Sequence, residues 1–215
     1  MSPDRSFILY DLTAVVNVMG LCAVAVFAVS GALSAARLKM DILGFILIGT
    51  VTGLGGGTLR DVLIGNLPVF WIREPTWIVI CLVSSAATYY IAPRLTSLAG
   101  ALLWMDAIGI ALFAAVGTEV ALLAEASPLI AICMGVVTAT FGGITRDVLC
   151  GSNLTLMNEE LYITTTLGGS IAYYALSTLG YSNSYDLLGG FIVAFTLRAL
   201  AIRFNIKLPN RYRAS

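Results

Sequence analysis

The sequence predicts an all-α integral membrane protein of seven transmembrane helices, built as an inverted three-plus-three repeat with a seventh helix added. Three observations carry that prediction. Of the 215 residues, 59% are hydrophobic and only 11% charged, and mean hydropathy is +0.93, whereas a soluble domain has roughly a quarter of its residues charged. Apolar runs of about 17 to 25 residues, long enough to cross a bilayer, recur along the whole chain. A glycine-rich segment carrying an Arg-Asp pair occurs twice, 86 positions apart.

The apolar runs lie at about 11–35, 41–66, 76–93, 99–123, 127–152, 160–179 and 185–204. The first is an apolar stretch of about 25 residues, against roughly 7 to 15 for a signal-peptide core, so it is expected to stay as a membrane anchor. Short polar connections separate the runs, at Arg37-Leu38-Lys39, Arg73-Glu74-Pro75, Pro93-Arg94, Ser127-Pro128, Asn158-Glu159-Glu160 and Ser182-Asn183-Ser184. None is long enough to divide soluble domains.

The first copy of the repeat is Gly55-Gly56-Gly57-Thr58-Leu59-Arg60-Asp61-Val62-Leu63-Ile64-Gly65, and the second is Phe141-Gly142-Gly143-Ile144-Thr145-Arg146-Asp147-Val148-Leu149-Cys150-Gly151. The same offset, without a gap, brings Phe27 onto Phe113, Gly31 onto Gly117, Gly49 onto Gly135, Thr52 onto Thr138 and Glu74 onto Glu160. Residues 1–97 are thus read as a first three-helix repeat, 98–183 as a second, and 184–215 as the seventh helix with a tail. Each unit has an odd number of spans and the second follows directly, so the copies must cross the membrane in opposite directions, as in many transporters and some channels. The seventh span has no counterpart and is free to pack peripherally or to build an oligomer.

Arg37, Lys39, Arg94, Arg203, Lys207, Arg211 and Arg213 fall on one side of this arrangement, and outside the motif only Arg5 and Arg73 fall on the other. The positive-inside rule then puts the N-terminus outside and the C-terminus in the cytoplasm.

Composition also excludes. The net charge is zero and the pI near 6.2, with no basic patch interleaved with aromatics, so nucleic acid is not a partner. Histidine is absent, which removes Ser-His-Asp, Cys-His and histidine-based metal chemistry. No cofactor is implied. Cys22, Cys81, Cys133 and Cys150 lack a CxxC spacing and read as buried free thiols.

Within an apolar helix, consecutive glycines permit a bend and let other groups approach the backbone. The reading is therefore that the second and fifth helices kink at Gly55-Gly56-Gly57 and Gly142-Gly143, exposing carbonyls to a watery path. At 1.5 Å per residue, Arg60 lies roughly 9 Å outward from the middle of its span and Arg146 a similar distance inward. One Arg or Asp at membrane depth costs about 2.5 to 3.5 kcal/mol, so four such groups need compensation. Neighbouring helical residues point about 100° apart, which favours cross-helix partners: Glu119 for Arg60, and Asp106 for Arg146 or Arg198. The plainer alternative is that the glycines only let helices pack closely and the charges form structural ion pairs. Thr52, Thr138 and Thr140 precede the glycines and either line the path or bond back to their own helix. Arg198 is read as snorkelling to the cytoplasmic face, and Tyr89, Tyr90, Tyr173, Tyr174, Trp71 and Trp77 as interface or packing aromatics.

These duplicated GG-x-x-R-D-V-L-x-G segments, Gly56 to Gly65 and Gly142 to Gly151, with the three-plus-three-plus-one spans, resemble the trimeric intracellular cation (TRIC) channel family, particularly its prokaryotic branch. The resemblance implies a homotrimer with one ion pathway inside each protomer, surrounded mainly by spans one, two, four and five. It implies potassium and sodium as permeant ions, and a bacterial or archaeal plasma membrane as the location. Asp61 and Asp147 would then concentrate cations at the two mouths, and Arg60 and Arg146 would shape or gate the path. The rival reading is a secondary transporter for a small solute such as glycine or another amino acid, because carriers also use inverted repeats with broken helices. An intramembrane enzyme using Asp106 lacks a second carboxylate at convincing spacing.

Overall fold

The computed structural model describes residues 5–152, 162–179 and 183–206. The connection at Asn158-Glu159-Glu160, Ser182, and the tail cations Lys207, Arg211 and Arg213 lie outside these residues. The long helices are α1 (Arg5–Arg37), α2 (Ile42–Leu63), α3 (Thr76–Ile91), α4 (Leu98–Leu123), α5 (Pro128–Leu149), α6 (Tyr162–Thr178) and α7 (Asn183–Phe204). A one-turn helix, Phe70–Arg73, follows α2.

Among the described residues, six helical segments are long and apolar enough to cross a membrane: Ala14–Arg37, Ile42–Leu63, Thr76–Arg94, Leu98–Leu123, Pro128–Leu149 and Tyr185–Phe204. The chain is a multi-pass membrane protein. Helix α6 is described over 17 residues and carries Thr164, Thr165 and Thr166 in its first turns.

Local signals set the helix ends. Asp41 caps α2 by accepting the Gly44 amide at 2.9 Å, and Ser97 caps α4 by accepting the Gly100 amide at 3.1 Å. Pro128 opens α5, where a missing N–H costs nothing. The last glycine of each motif closes its helix. Gly65 has φ 72° and Gly151 φ 59°, the left-handed conformation that a side chain disfavours. The amides of Gly65 and Asn66 reach back to the Val62 and Asp61 carbonyls, and those of Gly151 and Ser152 to the Val148 and Asp147 carbonyls. Both motifs thus end in a Schellman cap, which fixes each Arg-Asp pair in the final turn of its helix.

Helices α1, α2, α5 and α4 form a ring in which each packs against two neighbours, while the diagonal pairs barely touch. Helix α3 covers α1 and α2 as α6 covers α4 and α5, so the outer helices obey the same pseudo-symmetry. Phe27 and its repeat mate Phe113 meet inside the ring with centroids 5.2 Å apart. Helix α7 lies on α6 and α4, a docking within the protomer. All four cysteines are free, but Cys22 and Cys133 are exposed rather than buried, because they sit on the outward faces of α1 and α5.

Candidate functional site

Helices α2 and α5 cross at the repeated glycines, and each is helical without interruption through them. What the glycines provide is close approach. A Cβ on Gly56 would collide with the Thr138 carbonyl oxygen, and a Cβ on Gly142 with the Thr52 carbonyl oxygen. Because Gly56 and Gly142 are repeat mates, as are Thr52 and Thr138, the crossing is reciprocal in the manner of a two-fold interface. Gly55 faces the Gly142 Cα, Gly57 backs onto Phe70, and Gly143 onto the Tyr162 hydroxyl. The Thr52, Thr138 and Thr140 hydroxyls bond back to the Ile48, Met134 and Val136 carbonyls at 2.6, 2.6 and 2.8 Å, so none offers its proton to the ring interior.

Only part of the cross-helix expectation holds: Arg146 meets Asp106, whereas Glu119 is bonded by Tyr173 instead of Arg60, and each arginine also bonds the aspartate beside it. Arg60 bonds Asp61, its own neighbour, through Nε at 2.9 Å and Nη2 at 2.8 Å, and Arg146 bonds Asp147 through Nε at 2.8 Å. The angular separation of adjacent residues is overcome by the length of the arginine side chain, which folds back over the helix end. Asp61 also accepts the Phe70 amide at 2.9 Å, and Arg60 lies over the Phe70 ring at 5.8 Å. Asp61 is fully buried and Asp147 5% exposed, so neither stands as an open carboxylate at a mouth.

Around Arg146 the ring is closed. Its Nη1 donates to Asp106 Oδ1 on α4 and to Ser30 Oγ on α1, each at 2.6 Å, and Ser30 donates to Asp106 at 3.3 Å. Three of the four ring helices are thereby tied at one level. Glu119 does not meet Arg60: it accepts from Tyr173 of α6, because it lies on the face of α4 turned toward α6 and α7. Arg198 does not snorkel. It is 2% exposed and lies over the Tyr162 ring at 5.2 Å, covered by α6 beside the Arg146 cluster.

Around Arg60 the ring is hollow. A cavity of about 170 Å³ is lined by Asn17, Gly20, Arg60, Asn66, Val116 and Trp77 among others. The offset explains it: Gly20 stands where the second repeat has Asp106, and Val116 where the first has Ser30. Sequence reasoning missed Ser30, Phe70 and Tyr162: Ser30 lies 116 residues from Arg146, and Phe70, nearby in the chain, reaches Asp61 through its backbone amide, which no side-chain pattern signals. The absence of an acid at Gly20 was the one signal available.

A cross-linked charge cluster at one end of a four-helix ring and, at the other, a cavity with Asn17, Arg60 and Asn66 set among apolar side chains, related by an internal two-fold, define a duplicated helical membrane protein. The sequence model of a family described as "Glycine transporter" matches residues 17–93 and again 103–178, once over each repeat. The solved TRIC trimeric intracellular cation channel orthologue from Rhodobacter sphaeroides is 44% identical, with a TM-score of 0.87 over 89% of this chain and 99% of that one. The inner membrane protein YadS of Escherichia coli, of the group called UPF0126, is 40% identical over 199 residues, 89% of this chain and 93% of that protein. A UPF0126 membrane protein of Vibrio cholerae is also 40% identical, over 92% of this chain and 83% of its own length. The chain belongs to this family, as a prokaryotic member with the TRIC channel fold. The solved structures it resembles are channels, not enzymes.

Proposed function

We propose that the chain is a monovalent cation channel for potassium and sodium, with a pathway inside each protomer of a homotrimer in a prokaryotic inner membrane. Its termini are oriented with the N-terminus outside, which follows from Arg37, Lys39, Arg94 and Arg203 at one end of the bundle. Seven spans, grouped as residues 1–97, 98–183 and 184–215, frame the pathway through α1, α2, α4 and α5. The observation that carries the reading is the contrast between the two ends: a cavity with room for several waters beside Arg60, and a bridged cluster at Arg146.

In this reading the outer half is a vestibule and the inner half a gate. Asp61 and Asp147 hold the two guanidiniums folded against their own helix ends, so that a passing cation meets a compensated pair rather than a bare positive charge. Release of Arg146 from Asp106 frees α4 from α1 and α5, and the glycine crossing, which has no side chains to interlock, lets α2 and α5 flex or kink there. The carbonyls of Thr52 and Thr138, aimed at that crossing, would then face the path and replace part of the hydration of the ion. The Rhodobacter relative is described as a trimeric cation channel, which supports the permeant species and the assembly.

A carrier for glycine or another small amino acid is the second reading, supported by the description of the matching family and by a cavity of about 170 Å³ with Asn17, Arg60 and Asn66 in its wall. Recording from the purified protein in planar bilayers separates the two. Unitary potassium currents are expected from a channel; saturable, ion-coupled solute uptake into vesicles without such currents would establish the carrier.

A further inference from the structure

Among the described residues, two buried carboxylates outside the pathway have no countercharge in salt-bridge range. Glu119 of α4 is 5% exposed and Asp186 of α7 is 1% exposed. Glu119 accepts one hydrogen bond, from Tyr173 of α6. Both oxygens of Asp186 are buried with no hydrogen-bond partner, although Asp186 lies within electrostatic reach of Glu119 and Tyr173. The ion pairs of Arg60 and Arg146 involve neither of these two acids.

The packing sets the two acids facing each other. A Cβ on Gly190 would stand 3.3 Å from the Ala115 Cβ and 2.7 Å from the Tyr173 Cβ, so α7 touches α4 and α6 at that level. One turn outward from Ala115 is Glu119, and one turn outward from Gly190 is Asp186, because α4 and α7 run in opposite directions. Val116 and Val120, on the other side of the same turn of α4, line the Arg60 cavity. The acids therefore sit at the level of that cavity, but behind α4. The repeat offset gives Glu119 the mate Leu33 and Tyr173 the mate Ala87, and α7 has no mate. The site is thus a feature of the second half alone.

We propose that Glu119 and Asp186 bind a divalent, oxygen-seeking cation at the outer end of the α4–α6–α7 cluster, with Tyr173 holding Glu119 in place. The ligand set is all oxygen and, with both acids ionised, carries two negative charges, which one divalent ion balances and one potassium ion leaves half-compensated. Carboxylate oxygens suit calcium, whose coordination number and geometry are adaptable. Bound there, the ion fastens α7, which lacks a repeat partner, onto the helix that forms the wall of the Arg60 cavity. The proposal is independent of whether the pathway conducts or carries.

The test is equilibrium dialysis of the full-length protein in detergent against radiolabelled calcium, in potassium chloride of constant ionic strength, together with thermal unfolding. Expected is saturable binding of about one calcium per chain, with a rise in Tm that magnesium reproduces more weakly. Asp186→Asn and Glu119→Gln should each abolish both effects, and Asp186→Asn should melt no lower than wild type without calcium, because it removes an unbalanced charge. Absence of saturable binding to the wild-type protein overturns the proposal outright, whether or not the variants fold. It is also overturned if both variants bind calcium as wild type does, or if wild type responds to acid but not to calcium, which makes a proton the occupant.

Discussion

Arg60 and Arg146 occupy equivalent places in the two repeats and hold their adjoining aspartates alike, through Nε at 2.9 and 2.8 Å. They differ in what faces them. Arg146 meets Asp106 and Ser30, whereas Arg60 meets Gly20, Val116 and a cavity of about 170 Å³. The lesson is that duplication preserves the backbone device, a capped helix end carrying an Arg-Asp pair, while the opposing helix decides whether that device closes the ring or leaves it hollow. Two differences between the repeats, Gly20 against Asp106 and Val116 against Ser30, accompany the cavity at one end and the bridge at the other.

The largest expected effect separates the two arginines. Arg146→Ala leaves Asp106 and Asp147 buried without their cation and should destabilise the protein by about 3 to 5 kcal/mol, read by unfolding in detergent. Arg60→Ala should cost clearly less, because Asp61 keeps the Phe70 amide and the site already borders a cavity. Equal losses would break the comparison.

The glycine crossing should behave symmetrically where the charges do not. Gly56→Ala and Gly142→Ala each drive a methyl into a carbonyl of the facing helix, at an expected cost of about 1 to 3 kcal/mol apiece. The same unfolding measurement should return similar values for the two, and a difference beyond about 1 kcal/mol would show that the two-fold is not energetic.

Asp106→Asn keeps the size of the side chain and weakens the bridge of α4 to Arg146. If the inner cluster is a gate, open probability in bilayers rises, by about tenfold for each 1.4 kcal/mol of closed-state stabilisation lost. An unchanged open probability would assign the cluster to stability alone.

The smallest effect concerns the aspartates of the motif. Neutralising Asp61 or Asp147 as Asn should lower cation conductance, and Asp61→Asn should lower it more, because Arg60 has no second carboxylate while Arg146 keeps Asp106. Unchanged conductance and selectivity in both variants would remove these residues from the pathway.

Much of this architecture was legible in the chain. Apolar length marks helices that cross a bilayer, because unsatisfied backbone groups exclude other structures there, and an odd span count per repeat dictates inversion. The family model matching at 17–93 and 103–178 follows the same duplication. Partner choice was less legible. Glu119 was read against Arg60 by depth along the helix alone, yet it turns toward Tyr173, since depth says nothing of azimuth. The adjacent Arg-Asp pairs were discounted from helical angles, and the arginine side chain is long enough to defeat that argument. Arg198 had the hydropathic position of a snorkelling residue, and only the packing of α6 over it shows that it is covered.

The sequence by itself determined that this is a helical membrane protein, duplicated and inverted, with charge concentrated in two glycine-led motifs. Those properties follow from length, hydropathy and counting, which act along the chain. Tertiary structure alone decided that the glycines are a reciprocal crossing rather than a break in helical hydrogen bonding. It also decided that Ser30 joins Asp106 at Arg146, and that Glu119 turns to Tyr173. Each of those outcomes depends on the rotation of a helix about its own axis, and that rotation is set by how side chains from distant segments pack, not by any local pattern.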